Sequence, residues 1–181
     1  MALTTLAKLK QYGHVESFED DTLLLRMIEA ASANIETYCS RTFLSANYTE
    51  VRDGNGNRRM SVSNFPMTAV SSVTINDQPI PLRTTALGNG YTFDDITVKL
   101  SGYRFDEGMN NVVIAYTAGL VDVPQDVDLA CCEMVMLRYK TLDRIGVSSK
   151  SLAGESITFT NDDFSDSVRR VLDQYKTLHL S

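Results

Sequence analysis

Three stretches of this chain carry residues whose types and spacing could do chemistry. Asp53-Gly54-Asn55-Gly56-Asn57 places an acid and two amides at alternate positions, as the first half of a calcium loop does. A full loop of that kind needs glycine at its sixth position and a bidentate glutamate at its twelfth. Here those positions hold Arg58 and Asn64. The same glycine pair lacks the third glycine and the strand-to-helix context of a phosphate-cradling loop. It reads as a hairpin turn, because Asp, Asn and Gly tolerate positive φ. Ser148, Ser149, Ser151 and Ser156 make a serine-rich stretch, but a serine nucleophile needs a base. The two histidines, His14 and His179, lie near opposite ends of the chain, and no Gly-x-Ser-x-Gly turn is present. Cys39, Cys131 and Cys132 contain no Cys-x-x-Cys and sit among apolar residues at helical spacing. Buried free thiols are the expectation, with no disulfide framework and no zinc site. No catalytic, cofactor-binding or metal-binding set emerges, and the expectation is a structural protein, not an enzyme.

The elements that would position such residues follow from periodicity. Leu3, Leu6 and Leu9 predict a short helix up to Tyr12, stopped by Gly13. Asp20 and Asp21 predict the start of a long helix. Leu24, Ile28, Ala31, Ile35 and Tyr38 form its apolar stripe, widened by Leu25, Met27 and Cys39, and it should end between Ser40 and Thr42. From Leu44 to Gly119 the period changes to two. Strands are expected at Tyr48–Arg52, at Arg59–Ser63 as its hairpin partner, at Val70–Ile75, and at Gln78–Leu82 as an exposed edge carrying Pro79 and Pro81. Further strands are expected at Tyr91–Phe93, Ile96–Leu100 and Asn111–Thr117, with Val112, Ile114 and Tyr116 on one face. A helical pattern resumes at Pro124, with Asp126 and Asp128 in its first turn. Val127, Ala130 or Cys131, Met134, Leu137 and Leu142 recur at helical spacing, and Val135 and Met136 widen the apolar girth, which predicts the central helix. Gly146 should end it. Gly146 to Thr160 reads as a mobile loop with a short strand at Ile157–Thr160. Asn161, Asp162 and Asp163 then cap a last helix with Phe164, Val168, Val171 or Leu172, Tyr175 and Leu178 on its apolar face.

The predicted class is therefore α+β: an antiparallel bundle of three main helices plus a short N-terminal one, with a small antiparallel β domain inserted. Residues 1–43 and 120–181 make the helical domain, and residues 44–119 the β-rich insertion. The 181 residues suit one elaborated domain or two small ones. No apolar run reaches the roughly 18 residues of a membrane helix, and Met1–Lys10 lacks the pattern of a secretory signal, so a cytosolic start is expected. The net charge of -6 argues against holding nucleic acid by counterion release, and is compatible with a passage through which nucleic acid slides. Tyr48, Tyr91, Phe93, Tyr103, Phe105 and Tyr116 lie in the β region with Arg52, Arg58, Arg59 and Arg104; sheet packing accounts for the aromatics, and a single-strand-binding module is the competing reading.

Taken together, several segments resemble a known family. Asp20-Asp21, Leu23-Leu24, Glu29-Ala30-Ala31-Ser32, Ile35-Glu36, Tyr38-Cys39, Arg41 and Phe43 are similar to the opening helix of tailed-phage head–tail connector (adaptor, head-completion) proteins. Tyr116-Thr117-Ala118-Gly119 followed by Val123-Pro124, Asp126-Val127 and Ala130 resembles the start of that family's second long helix. Arg138-Tyr139-Lys140, Arg144-Ile145-Gly146 and Ser149 to Glu155 resemble its end and the loop after it. The resemblance implies a virion protein at the head–tail interface, assembled in the host bacterial cytoplasm. It implies a dodecameric ring homo-oligomer below the portal protein, bound also to the next connector or tail protein. DNA would pass through its lumen without sequence-specific binding, and no membrane or cofactor is involved. Mapped onto this chain, Ser148, Ser149, Lys150, Ser151 and Glu155 become the candidate ring or lumen loop. Arg169, Arg170, Tyr175, Lys176 and Leu178 become the candidate portal contact. A tail terminator or stopper is the alternative structural part.

Overall fold

The computed structural model describes residues 2–142, 149–152, 155–158 and 164–176. The chain divides into two compact units, Met1–Arg41 with Val123–Ser181, and Thr42–Asp122.

The first unit is helical. Helix α1 (Leu6–Gly13) is capped by Thr5, whose hydroxyl accepts from the Lys8 amide, and closes on His14 at φ 52°. Gly13 is thus the last helical residue and not the stop. A side chain there would meet Met136, with a Cβ 2.4 Å from its Cε, so glycine serves the close approach of α1 to the next helix but one. Helix α2 (Asp21–Cys39) buries Leu24, Ile28, Ala31, Ile35 and Cys39 and ends on left-handed Ser40. Leu25, expected to widen the apolar stripe, is 48% exposed, because it lies about 100° around the helix from Leu24. Helix α3 (Gln125–Lys140) is the central one: it touches α1, α2 and the last helix, and buries Val127, Asp128, Ala130, Cys131, Cys132, Met134, Val135 and Met136. Leu137, expected in the core, lies on its one open stripe. The helix stops at Lys140, ahead of Gly146: Thr141 is its C-cap and donates its hydroxyl back to the Leu137 carbonyl at 2.9 Å. Arg144 and Gly146 lie outside the described residues.

After α3, strands β8 (Ser149–Leu152) and β9 (Glu155–Thr158) pair antiparallel, with Ser149 opposite Thr158 and Leu152 opposite Glu155. The segment read as a loop with one strand at Ile157–Thr160 therefore holds two strands joined by only two residues, a spacing that favours a hairpin. Helix α4 (Asp166–Asp173) is capped by Ser165, whose hydroxyl accepts from the Val168 amide. Asn161 to Asp163, expected as caps, lie outside the described residues. Val168 and Leu172 are its buried positions. Four helices thus build the unit, and α4, at 8 residues, is no longer than α1, so three main helices is not the arrangement among the described residues.

The second unit carries seven strands in two sheets, more than one small sheet. The first sheet has the order β1 (Ala46–Gly54), β7 (Gly108–Ala118), β3 (Met67–Ile75), β4 (Gln78–Ile80). The second has β2 (Arg59–Ser61), β6 (Thr97–Ser101), β5 (Gly90–Phe93). Both contribute to one core that includes Val73, Val98, Phe105, Val112, Ile114 and Tyr116. The expected face of β7 is buried as read. Asn76 and Asp77, both at positive φ, join β3 to β4, and β4 with Pro79 is the edge of its sheet. Two expectations are overturned. Strand β1 pairs with β7, not β2, with Ala46 opposite Ala118 and Arg52 opposite Val112. β2 pairs with β6, so Asp53–Asn57 carries the chain from one sheet to the other and is no hairpin turn. The physical reason lies at Gly54: a Cβ there would sit 1.6 Å from the Asp106 carbonyl oxygen, so the β6–β7 connection packs where a hairpin partner would have to run. Of the β-region aromatics, Tyr91, Phe105 and Tyr116 are buried, whereas Phe93 and Tyr103 are more than a third exposed.

Candidate assembly surfaces

The helical unit holds α4 through a set of side-chain bonds. Ser165 and Ser167, at the start of α4, both donate to Glu133 Oε1 on α3 at 2.7 Å. At the other end, the Tyr175 hydroxyl lies 2.9 and 2.8 Å from the two carboxylate oxygens of Asp126. Burial, then the bond to Asp126, pushes the Tyr175 phenol up. Tyr38 on α2 donates to Asp173 Oδ1 at 2.6 Å, its ring packs 5.0 Å from that of Phe164, and Lys176 Nζ sits 4.5 Å above it. An eight-residue helix is unstable by itself. These bonds, with buried Val168 and Leu172, are what hold it.

The candidate portal-contact residues therefore divide. Arg169 and Arg170 are exposed on α4, and Lys176 is exposed just after it. Tyr175 is turned inward onto Asp126. Leu178 lies outside the described residues. Of the candidate ring or lumen set, Ser149, Lys150 and Ser151 lie on β8 and Glu155 on β9. Register puts Lys150 opposite Ile157 and Ser151 opposite Ser156. Ser148 lies outside the described residues.

Sequence reasoning missed the acids that do the positioning. Asp126 read only as a first-turn charge on α3, and Glu133 was not singled out. The signal was present in Ser165-x-Ser167, two hydroxyls at a helix start, but nothing local names their acceptor. It also missed the open stripe of α3, where Leu129 and Leu137 flank Glu133 at four-residue intervals with 56% and 45% exposure.

The three thiols are free and buried. Burial pushes Cys131 up to about 12 and Cys39 up to about 11, and raises Cys132 as well, so the thiolate forms that attack or ligate are suppressed. Among the described residues no group of three or more His, Cys, Asp or Glu side chains is placed to hold a metal ion. Nor is any described helix long and apolar enough to cross a membrane.

In the β unit a polar network fixes one face of the first sheet. Glu50 on β1 accepts from the Tyr116 hydroxyl, from Arg52 Nη2 at 2.7 Å and from the Ser63 amide at 3.0 Å. Burial pushes Glu50 up, but these three donors outweigh it and its pKa ends below the ordinary value. Burial and the bond to Glu50 raise Tyr116 to about 12.

Several solved structures share this fold. The neck of an empty GTA particle computed with C6 symmetry contains a chain that is 16% identical, with a TM-score of 0.63 over 99% of this chain and 92% of that one. A chain from the virion of a native gene transfer agent particle has 16% identity and a TM-score of 0.61 over 99% and 92% of the two chains. One from the neck of a native GTA particle computed with C12 symmetry has 15% identity and a TM-score of 0.61 over 99% and 91%. At that identity the likeness establishes the fold. No curated protein sequence matches the chain. The sequence model of head completion proteins, by contrast, matches residues 2–178, both units included. The chain therefore belongs to the head completion protein family.

Proposed function

We propose that this chain is a head–tail connector (adaptor) subunit of a tailed-phage-like virion. Copies of it form a ring below the portal protein and provide the platform on which the next connector or the tail attaches. DNA passes through the lumen of that ring when the genome is retained and when it is ejected. The role is structural, with no catalytic step. The observation that carries the reading is the family match over residues 2–178. The fold shared over 99% of this chain with a neck described at C12 symmetry supports a twelve-fold ring.

The division of labour follows from the physics of each part. Residues 1–43 and 120–181 act as the helical connector domain, and residues 44–119 as an insertion. The β8–β9 hairpin is a two-stranded sheet. Two strands alone are marginally stable in water, and their outer edges offer unpaired backbone groups to another chain. That suits Ser149, Lys150, Ser151 and Glu155 to contacts around the ring or its lumen. Arg169, Arg170 and Lys176 project from or beside a helix held by its other face, which suits them to the portal. Tyr175 supports that surface from beneath. Ring contacts are heterologous and need two unlike patches per subunit. The apolar stripe at Leu129 and Leu137 is one candidate.

The test is to mix the purified protein with the portal of its own phage and image the product by electron microscopy. A ring seated on the portal is expected. If no complex forms, and deleting the gene still yields heads with tails attached, the proposal is wrong.

A further inference from the structure

The arginines and aromatics of the β region were explained above only as packing. Their placement carries more. The unit has six basic side chains, and three are already engaged. Arg52 is paired with Glu50 at 2.7 Å and Lys99 with Asp94 at 2.5 Å, while Arg83 is bonded to the carbonyls of Thr85 and Ala86. Arg58 and Arg104 have no ion pair within the unit. Arg104 has one long bond, 3.4 Å to the Gly56 carbonyl, and both arginines are exposed.

These two arginines line the same cleft, of about 450 Å³, together with Tyr103, Asp106 and an apolar floor of Ile75 and Ile80. The cleft is built, not incidental. The segments carrying the two arginines are tied by a pair of backbone bonds, Gly56 amide to Phe105 carbonyl at 2.7 Å and Phe105 amide to Asn57 carbonyl at 2.8 Å. A third bond, Leu100 amide to Arg58 carbonyl at 2.8 Å, fixes the other side. Phe105, at 0% exposure, anchors the loop between the arginines.

We propose that this cleft binds a short segment of nucleic acid, with Arg58 and Arg104 meeting a phosphodiester and the base lying on Tyr103 and the Ile75–Ile80 floor. Two guanidiniums without carboxylate partners among the described residues supply the charge that phosphate oxygens match. A third-exposed tyrosine beside an apolar floor supplies a stacking surface, which an acidic peptide would not use. Asp106, which also lines the cleft, repels further phosphates, so the cleft takes one phosphate and does not track a backbone. On a chain of net charge -6 the contact is weak and salt-sensitive. The inference goes beyond the connector reading and does not rest on it, since a base free to stack belongs to a single strand or a frayed end and not to paired duplex.

The experiment is fluorescence anisotropy of the full chain with a labelled single-stranded 12-mer and the matching duplex, in about 20–200 mM NaCl. Binding of the single strand is expected, with a log–log salt slope of about -0.7 for the one phosphate met. Arg58→Ala and Arg104→Ala should each weaken binding by about threefold. The double variant should lose at least tenfold in affinity with an unchanged circular dichroism spectrum. Amide shifts on adding DNA should cluster at Gly102–Asp106. The proposal is overturned by any of three results: no saturable binding at 20 mM NaCl, affinity kept by the double variant, or equal displacement by polyglutamate. Imaging the double variant on the portal separates the two readings. A ring that forms without DNA binding by the parent removes the cleft proposal alone, and DNA binding without any ring removes the connector reading alone.

Discussion

Replacing Tyr175 by phenylalanine tests whether α4 is held as described. The substitution deletes one hydroxyl, which lies 2.9 and 2.8 Å from the two oxygens of Asp126, and keeps the ring. A hydrogen bond to a charged group contributes about 1.5–3 kcal/mol. Tyr175 is only half-buried, so water replaces part of that, and the lower end, about 1–1.5 kcal/mol, applies. The loss falls on α4 because that helix depends on its tertiary bonds, and 1.4 kcal/mol is tenfold in an opening equilibrium. Amide hydrogen exchange over Val168–Asp173 in the isolated protein should therefore speed up about tenfold, with α1 amides unchanged. Leu172→Ala sets the scale: at 0% exposure it should cost about 2–5 kcal/mol and open α4 far more. Were Tyr175 a free partner contact, as the family resemblance implied, Tyr175→Phe would weaken only portal binding. Unchanged exchange at α4 with reduced portal binding would refute the reasoning.

Two further predictions concern the β unit. Gly54→Ala should destabilise it by about 1–3 kcal/mol or more, since the new Cβ would meet the Asp106 carbonyl at 1.6 Å and backbone must move; a thermal melt unchanged within error would contradict this packing. Tyr116 should titrate late, at about 12, in a spectrophotometric titration compared with Tyr116→Phe. Its folded pKa is raised above the ordinary value near 10, so its contribution to stability is complete below about 10 and is lost as pH rises towards 12. Tyr116→Phe should flatten that alkaline loss, and an unaltered profile would count against the Glu50 bond.

Local patterns carried much of this fold. The stripe from Leu24 to Ile35, the girth of α3 and the alternation of Val112, Ile114 and Tyr116 are each set by residues within one element, where a period of 3.6 or 2 decides which face is buried. The Asn76–Asp77 turn was legible because two residues at positive φ join strands that are adjacent in sequence. Pairing between distant segments was not. Tyr48–Arg52 followed by a Gly-Asn turn and Arg59–Ser63 reads as a hairpin, yet β1 finds β7 some sixty residues away. The eleven-residue β7 offers a longer ladder than the three-residue β2 could.

For the candidate surfaces the same boundary holds. The amino-acid sequence by itself determined that helices stand on either side of a β-rich stretch and that the three cysteines are buried. It also carried the family resemblance, because that rests on short segments whose residues are close along the chain. Only the tertiary structure decided that Tyr175 faces Asp126, that Glu133 gathers Ser165 and Ser167, and that Arg58 and Arg104 share a cleft. Each of these joins residues at least 32 positions apart, and a side chain's partner at that separation depends on how whole elements pack, which no local spacing records.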